Sequence, residues 1–299
     1  MMFLRPSLFT AAVLVGSALS VADPASDQLR LEETEDQIIV RFAGSTAEPG
    51  QPAIPSWKAI LLREDAGNIS ALHVPADSPL DLSSRRGGWP ITVVSTRSAA
   101  GVNDPDKGRD NYAKFRVETM EVVSRSDEQV VIRVAGPSRR QHSYQDRTYT
   151  FTPRGVAIEG TVTALVDLKR AAWDPHWDRD QMADSHELVT PVRTQGRHGW
   201  VIAPSSGSDA VTPLPEFVNF PLEAELKLRR DRPTFLRLFI DQPFTTTAEK
   251  RMMVNNNKDF EALPSQRMYY EKLVGGIESA PLKVGQSDRF KVRYEFEVR

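Results

Sequence analysis

The sequence predicts an all-β fold, a large antiparallel β-sandwich with little helix, and three observations carry that prediction. Near the end of the chain, Phe290, Val292, Tyr294, Phe296 and Val298 alternate with Arg289, Lys291, Arg293, Glu295 and Glu297. A period of two over that length is a strand with one buried and one wet face. Short β-rich runs recur along the whole chain with Pro, Gly, Asn and Asp between them, the spacing of a sandwich or barrel rather than of alternating strands and helices. Residues 147–161 read as a hairpin, because Thr152-Pro153-Arg154-Gly155 places a fixed φ and a permissive one between two β-rich arms.

The first element is not part of the fold. Arg5 precedes an apolar run from Leu8 to Leu19, and Ser20-Val21-Ala22 supplies the small-x-small pattern of a cleavage site, so residues 1–22 read as a signal peptide and the protein as secreted or periplasmic. Thr10, Gly16, Ser17 and Ser20 interrupt a run already short for a membrane span. With no cysteine in the chain, a cysteine-linked lipid anchor and a disulfide framework are excluded, and the core alone must hold the domain.

Residues 23–36 are polar and acidic and read as a flexible leader. Residues 37–299 read as a single large β-sandwich domain, with the proline-rich 203–221 as a long surface connection or a domain junction. Strands are predicted near 37–42, 57–63, 69–74, 91–95, 112–123, 129–135, 147–152, 156–165, 187–192, 200–203, 222–228, 234–240, 267–273 and 290–298. The 222–228 run alternates Leu222, Ala224, Leu226 and Leu228 with charged residues. The best helix candidate is 247–260, with Thr246 or Thr247 as N-cap and Glu249 in the first turn, weakened by Asn255, Asn256 and Asn257.

Lys and Arg total 38 against 40 Asp and Glu. That near balance gives no nucleic-acid footprint, which would call for a clustered basic surface. No Gly-x-Ser-x-Gly elbow, phosphate loop or dinucleotide fingerprint is present, which removes the commonest hydrolase and nucleotide readings.

The densest chemistry lies in residues 173–187, where Trp173, Asp174, His176, Trp177, Asp178, Asp180, His186 and Glu187 gather within one stretch. Indole faces stack on the apolar faces of sugar rings, while imidazole and carboxylate move protons or ligate cations. Asp174, His176, Asp178 and Asp180 fall at every second position, a one-sided spacing in an extended segment, and Pro175 argues for an edge or a loop. A polar substrate surface, a metal site and a solvated, salt-bridged loop with packed tryptophans all fit this pattern. In a second cluster, 141–147, Tyr144 and Arg147 stand beside His142, the equipment of β-elimination on a uronic acid or of simple cross-strand packing. Asp104, Asp106 and Asp110 around Gly108 have the interval of a calcium loop without its closing acid. A divalent metal, calcium before zinc, is the one cofactor suggested.

Residues 149–162, the His176 segment behind them and the ending 280–294 resemble the galactose mutarotase-like β-supersandwich, a fold of sugar epimerases and of the β-domains of polysaccharide lyases. The resemblance implies a supersandwich architecture, a polysaccharide or oligosaccharide partner, and His176 with Glu271 as counterparts of the epimerase acid and base. Asp174-Pro175-His176-Trp177 lacks the asparagine pattern around the epimerase histidine, so aldose epimerisation itself is not implied. The expected function is binding or processing of carbohydrate, with lyase- or hydrolase-like action. The alternatives are a non-catalytic carbohydrate-binding or calcium-stabilised envelope module and a structural sandwich without a ligand.

Overall fold

The computed structural model describes residues 28–46, 49, 53–78, 93–97, 109–110, 116–168, 186–193, 200–203, 212–213, 217–221, 225–228, 234–242, 244, 251–255, 268–273 and 282–298. Strands dominate them. β1 (Leu29–Glu33), β2 (Gln37–Phe42), β3 (Trp57–Leu62) and β4 (Asn68–His73) form a four-stranded meander. The next strands in the chain are β5 (Val93–Arg97), β6 (Arg109–Asp110), β7 (Thr119–Arg125), β8 (Val130–Pro137), β9 (Ser143–Thr152) and β10 (Gly155–Ala164). They are followed by β11 (His186–Arg193), β12 (Trp200–Ala203), β13 (Thr212–Pro213), β14 (Phe217–Pro221) and β15 (Glu225–Leu228). The last are β16 (Thr234–Gln242), β17 (Arg251–Asn255), β18 (Met268–Leu273) and β19 (Ser287–Val298).

A nine-stranded sheet has the order β13-β12-β15-β16-β19-β10-β9-β8-β7, and a six-stranded sheet the order β14-β17-β18-β11-β5-β6. All named pairings are antiparallel. One apolar cluster joins the three sheets: Ile38, Phe42, Trp57 and Leu61 of the four-stranded sheet, Val94 of the six-stranded one, and Ile132, Phe151, Ile158, Val292 and Tyr294 of the nine-stranded one. The nine-stranded sheet is therefore one layer of a sandwich, and the other two sheets face it.

The centre of the long sheet follows the sequence pattern closely. β19 buries Phe290, Val292, Tyr294 and Phe296 as its period predicts, and β9 and β10 form the predicted hairpin, with Gly155 opposite Thr152. Gly155 has φ +154, and a Cβ there would meet the Tyr294 carbonyl oxygen at 1.9 Å. Only glycine admits that close a strand. Trp57 plugs the core beneath the hairpin: its Nε1–H donates to the Pro153 carbonyl at 2.8 Å, and its rings lie 5.9 Å from Phe151 and 5.6 Å from Phe296. Complete burial of such a side chain contributes about 3 kcal/mol.

Three local expectations change. Residues 29–33, placed in the flexible leader, are β1 and pair with β2 from Leu29↔Phe42 to Glu33↔Ile38, because Leu29 and Leu31 alternate onto the core side. Residues 251–255, inside the helix candidate, are strand β17 between β14 and β18; sheet pairing on both edges outweighs a capping signal that has asparagines behind it. β7 starts at Thr119, later than the predicted 112. Within the proline-rich connection, β13 belongs to the nine-stranded sheet and β14 to the six-stranded one, so the chain changes layer there. Among the described residues no helix is long and apolar enough to cross a membrane.

Candidate functional site

The inner face of the nine-stranded sheet is apolar at one end and polar at the other. Register makes this explicit. Val130, Phe151, Val156 and Tyr294 lie side by side in one row across β8, β9, β10 and β19, and Ile132, Tyr149, Ile158 and Val292 form the next. The third row is Val134, Arg147, Gly160 and Phe290, and the fourth is Gly136, Gln145, Val162 and Asp288. Aromatic and aliphatic groups thus give way to guanidinium, amide and carboxylate within four rows.

Two polar contacts cross the sandwich at that end. His186 opens β11, and its Nε2 lies 3.0 Å from Asp288 Oδ2, with both side chains almost wholly removed from solvent. The other Asp288 oxygen accepts the Arg289 backbone N–H at 2.8 Å, and the imidazole stands edge-on to Phe244 at 4.6 Å. This contact ties the six-stranded sheet to the nine-stranded one. The second contact ties the four-stranded sheet to it: Arg147, 1% exposed, donates from Nη1 to Asn68 Oδ1 of β4 and from Nη2 to Gln145 Oε1. Asn68 is itself held, since its Nδ2 donates to the Asp65 carbonyl at 2.6 Å. A buried guanidinium needs several acceptors to offset its lost hydration, and this fork of two amide oxygens plus the Tyr149 hydroxyl at 3.4 Å supplies them.

Thr96 of β5 is the register partner of His186. Its hydroxyl and that of Ser143 are buried without a hydrogen-bond partner, which marks this end as the least satisfied part of the described interior.

The outer face carries different chemistry. Along β9, Ser143, Gln145, Arg147, Tyr149 and Phe151 are buried while Tyr144, Asp146, Thr148, Thr150 and Thr152 are only half-covered. Tyr144 and Arg147 therefore lie on opposite faces of one strand, and the structure does not bring them to one reaction centre. Burial first, then the charge and hydrogen bond of Glu118, hold the Tyr144 phenol above its ordinary value of 10.0. Arg133 forks onto Asp146 on the same face at 3.0 and 2.7 Å, and that carboxylate holds its guanidinium above its ordinary value.

Of the candidates named from sequence, His186 and Arg147 come to the same end of the interior, each locked in an inter-sheet contact. Glu187 lies in β11 and Glu271 in β18, where Thr190 is the register partner of Glu271. Asp110 lies in β6 opposite Thr96. Trp173, Asp174, His176, Trp177, Asp178 and Asp180, with Asp104 and Asp106, lie outside the described residues. Among the described residues no group of three or more His, Asp or Glu is placed to hold a metal ion. Sequence reading missed Asp288, Asn68 and Gln145. For Asp288 the signal was present, because it shares the inward parity of Phe290 and Val292, and a carboxylate on an apolar face asks for a partner.

No family model matches the chain, and no curated protein does. Solved structures to which it is similar include a galactose mutarotase related enzyme from Lactobacillus acidophilus, at 8% identity, 91% of this chain, 99% of that one and a TM-score of 0.42. A galactose mutarotase-like protein from Lactobacillus casei ATCC 334 is similar at 10% identity, 90% of this chain, 100% of that one and 0.44. A mutant heparan sulfate lyase from Pedobacter heparinus is similar at 9% identity, 87% of this chain, 35% of that one and 0.44. The resemblance drawn from residues 149–162 and 280–294 is to this same group. At this degree of likeness it carries no argument about chemistry.

Proposed function

We propose that this is a secreted or periplasmic β-sandwich protein that binds or processes polysaccharide at the polar end of its sandwich. One observation carries the reading. Residues 169–185, with both site tryptophans and His176, connect Leu168 to His186. His186 is fixed by Asp288, while Leu168 is held by the backbone bond from its N–H to Leu282, just beyond β10. Both flanking attachments belong to the end where the interior turns polar, and the reading assigns the binding site to that end. On this reading Trp173 and Trp177 stack on sugar rings, Asp174, Asp178, Asp180 and Glu187 take hydroxyl groups, and any bond-breaking step falls to His176 with a neighbouring acid.

His186 and Arg147 support binding more than catalysis in their own right, because each is buried and bonded to a residue of a facing sheet. They position the site's attachments rather than touch a sugar.

The test is export of the full chain from an expression host, followed by a panel of neutral and uronic polysaccharides with and without calcium or zinc. Binding and the ultraviolet absorbance of an unsaturated uronic product are both followed. An N-terminus at Asp23 and retention on a polysaccharide, lost in Trp173→Ala or Trp177→Ala, support the reading. Product formed by the wild type and lost in His176→Ala with an unchanged melting temperature assigns catalysis. Retention of Met1 sinks the export claim, and silence across the panel sinks the carbohydrate claim.

A further inference from the structure

The β8–β9 turn stands at the same polar end and carries Arg139, Arg140 and Gln141 in succession. It is an ordered tip. Ser138 N–H donates to Ser143 O at 2.7 Å and Gln141 N–H to Ser138 O at 2.8 Å, while the Ser138 hydroxyl accepts the His142 and Ser143 backbone N–H groups at 3.0 and 3.1 Å. His142 O in turn accepts the Leu165 N–H at 2.8 Å, fixing the tip to the end of β10. A third exposed cation is adjacent, since the Arg116 N–H donates to Pro137 O at 2.9 Å.

Gln141 sharpens the case. Among the described residues two that are not glycine have positive φ, Ala66 and Gln141. Ala66 is buried and closes a turn under the core, but Gln141 is exposed with φ 56, where glycine would cost nothing. A residue other than glycine kept in this conformation at an exposed position points to a use for its side chain.

We infer that this rim binds the acidic groups of a polysaccharide, with Arg139, Arg140 and Arg116 taking carboxylate or sulfate and the Gln141 amide taking a neighbouring hydroxyl. The inference rests on the carbohydrate reading and narrows it to anionic polymers. A guanidinium presents two parallel donors that match a carboxylate or sulfate edge. The rim also exposes apolar surface at Leu165 and Val284, suited to the faces of sugar rings, and the segments that carry them touch through the Gly285 N–H bond to Ala164 O at 2.8 Å. The formal charge of the chain is −2, so the cations are a local feature, too few for the extended basic track that nucleic acid requires.

The experiment measures affinity of the exported full chain for polygalacturonate, chondroitin sulfate, neutral dextran and duplex DNA across a salt series. Arg139→Gln with Arg140→Gln is expected to weaken binding to the acidic glycans on the order of tenfold or more and to flatten its salt dependence. Arg125→Gln at the end of β7 with Arg154→Gln in the β9–β10 turn, an equal change of charge at the opposite end, is expected to leave binding as it was. Gln141→Gly is expected to raise the melting temperature while weakening glycan binding. Acidic-glycan binding unchanged in the Arg139/Arg140 variant overturns the inference, as does equal binding to DNA. Binding confined to dextran overturns it while the carbohydrate reading stands, and binding to none of the glycans overturns both.

Discussion

His186 Nε2 lies 3.0 Å from Asp288 Oδ2 across a sequence separation of 102 residues, and the contact fastens the six-stranded sheet to the nine-stranded one. Neither group reaches water. Replacing one partner leaves the other buried with its hydrogen bond lost, so His186→Ala and Asp288→Ala are each expected to cost about 3 kcal/mol. The double variant should cost much less than the sum, which urea unfolding of the full cycle measures. Additive costs would show that the two side chains do not work as a pair.

Arg147 is held by Asn68 and Gln145 through separate nitrogens of one planar group. A lysine ends in one compact ammonium without the planar fork that meets both acceptors, so Arg147→Lys is expected to lose about 2 kcal/mol of stability. Urea unfolding reads the loss, and an unchanged midpoint would refute the bridging role. Any fall in glycan binding should track the unfolded fraction and no more.

Gly160 is placed between Arg147 and Phe290 in register, and a Cβ there would meet the Phe290 ring at 2.3 Å. Gly160→Ala should therefore destabilise by about 1–3 kcal/mol through overpacking. Phe290→Leu added to it should recover part of that loss. If the alanine variant melts with the wild type, the ring has room to move that the packing does not suggest.

Burial, and then Glu118, hold the Tyr144 phenol above 10.0. The folded state favours the neutral phenol, so this contribution to stability is complete below the ordinary tyrosine value and is lost as pH rises through the raised one. Ultraviolet titration of phenolate should show a late tyrosine, and Glu118→Gln should move it down toward the ordinary value. A Tyr144→Phe difference spectrum assigns the transition; a Tyr144 that titrates at the ordinary value would remove the proposed influence of Glu118.

The thin Thr96 hydroxyl, buried without a partner beside His186, gives the polar end a further handle. Thr96→Val keeps the shape and removes a desolvated group, and is expected to stabilise the fold by about 1 kcal/mol. Destabilisation in thermal melts would show that the hydroxyl is satisfied in solution.

The candidate site was legible in composition and not in arrangement. His186 and Arg147 stood out as ionisable groups among β-rich runs, yet neither face of β9 is apolar at its start: Ser143, Gln145 and Arg147 alternate with Tyr144, Asp146 and Thr148. Periodicity therefore could not say that Arg147 faces inward and Tyr144 outward. Asn68 lies 79 residues from the arginine it binds, and nothing near Asn68 in the chain marks that pairing.

By itself the sequence determined what is local: the strand period of 290–298, the turn chemistry of Pro153 and Gly155, the all-β class that follows from them, and the place where tryptophan, histidine and acid concentrate. The tertiary structure decided which strands lie in which layer, that 29–33 and 251–255 join sheets, and that His186 and Arg147 are buried in contacts between layers. The reason is physical. Side-chain alternation and turn geometry act between near neighbours, whereas the partner of a buried charge is chosen by the desolvation it must offset, and that choice exists only once distant strands have been packed together.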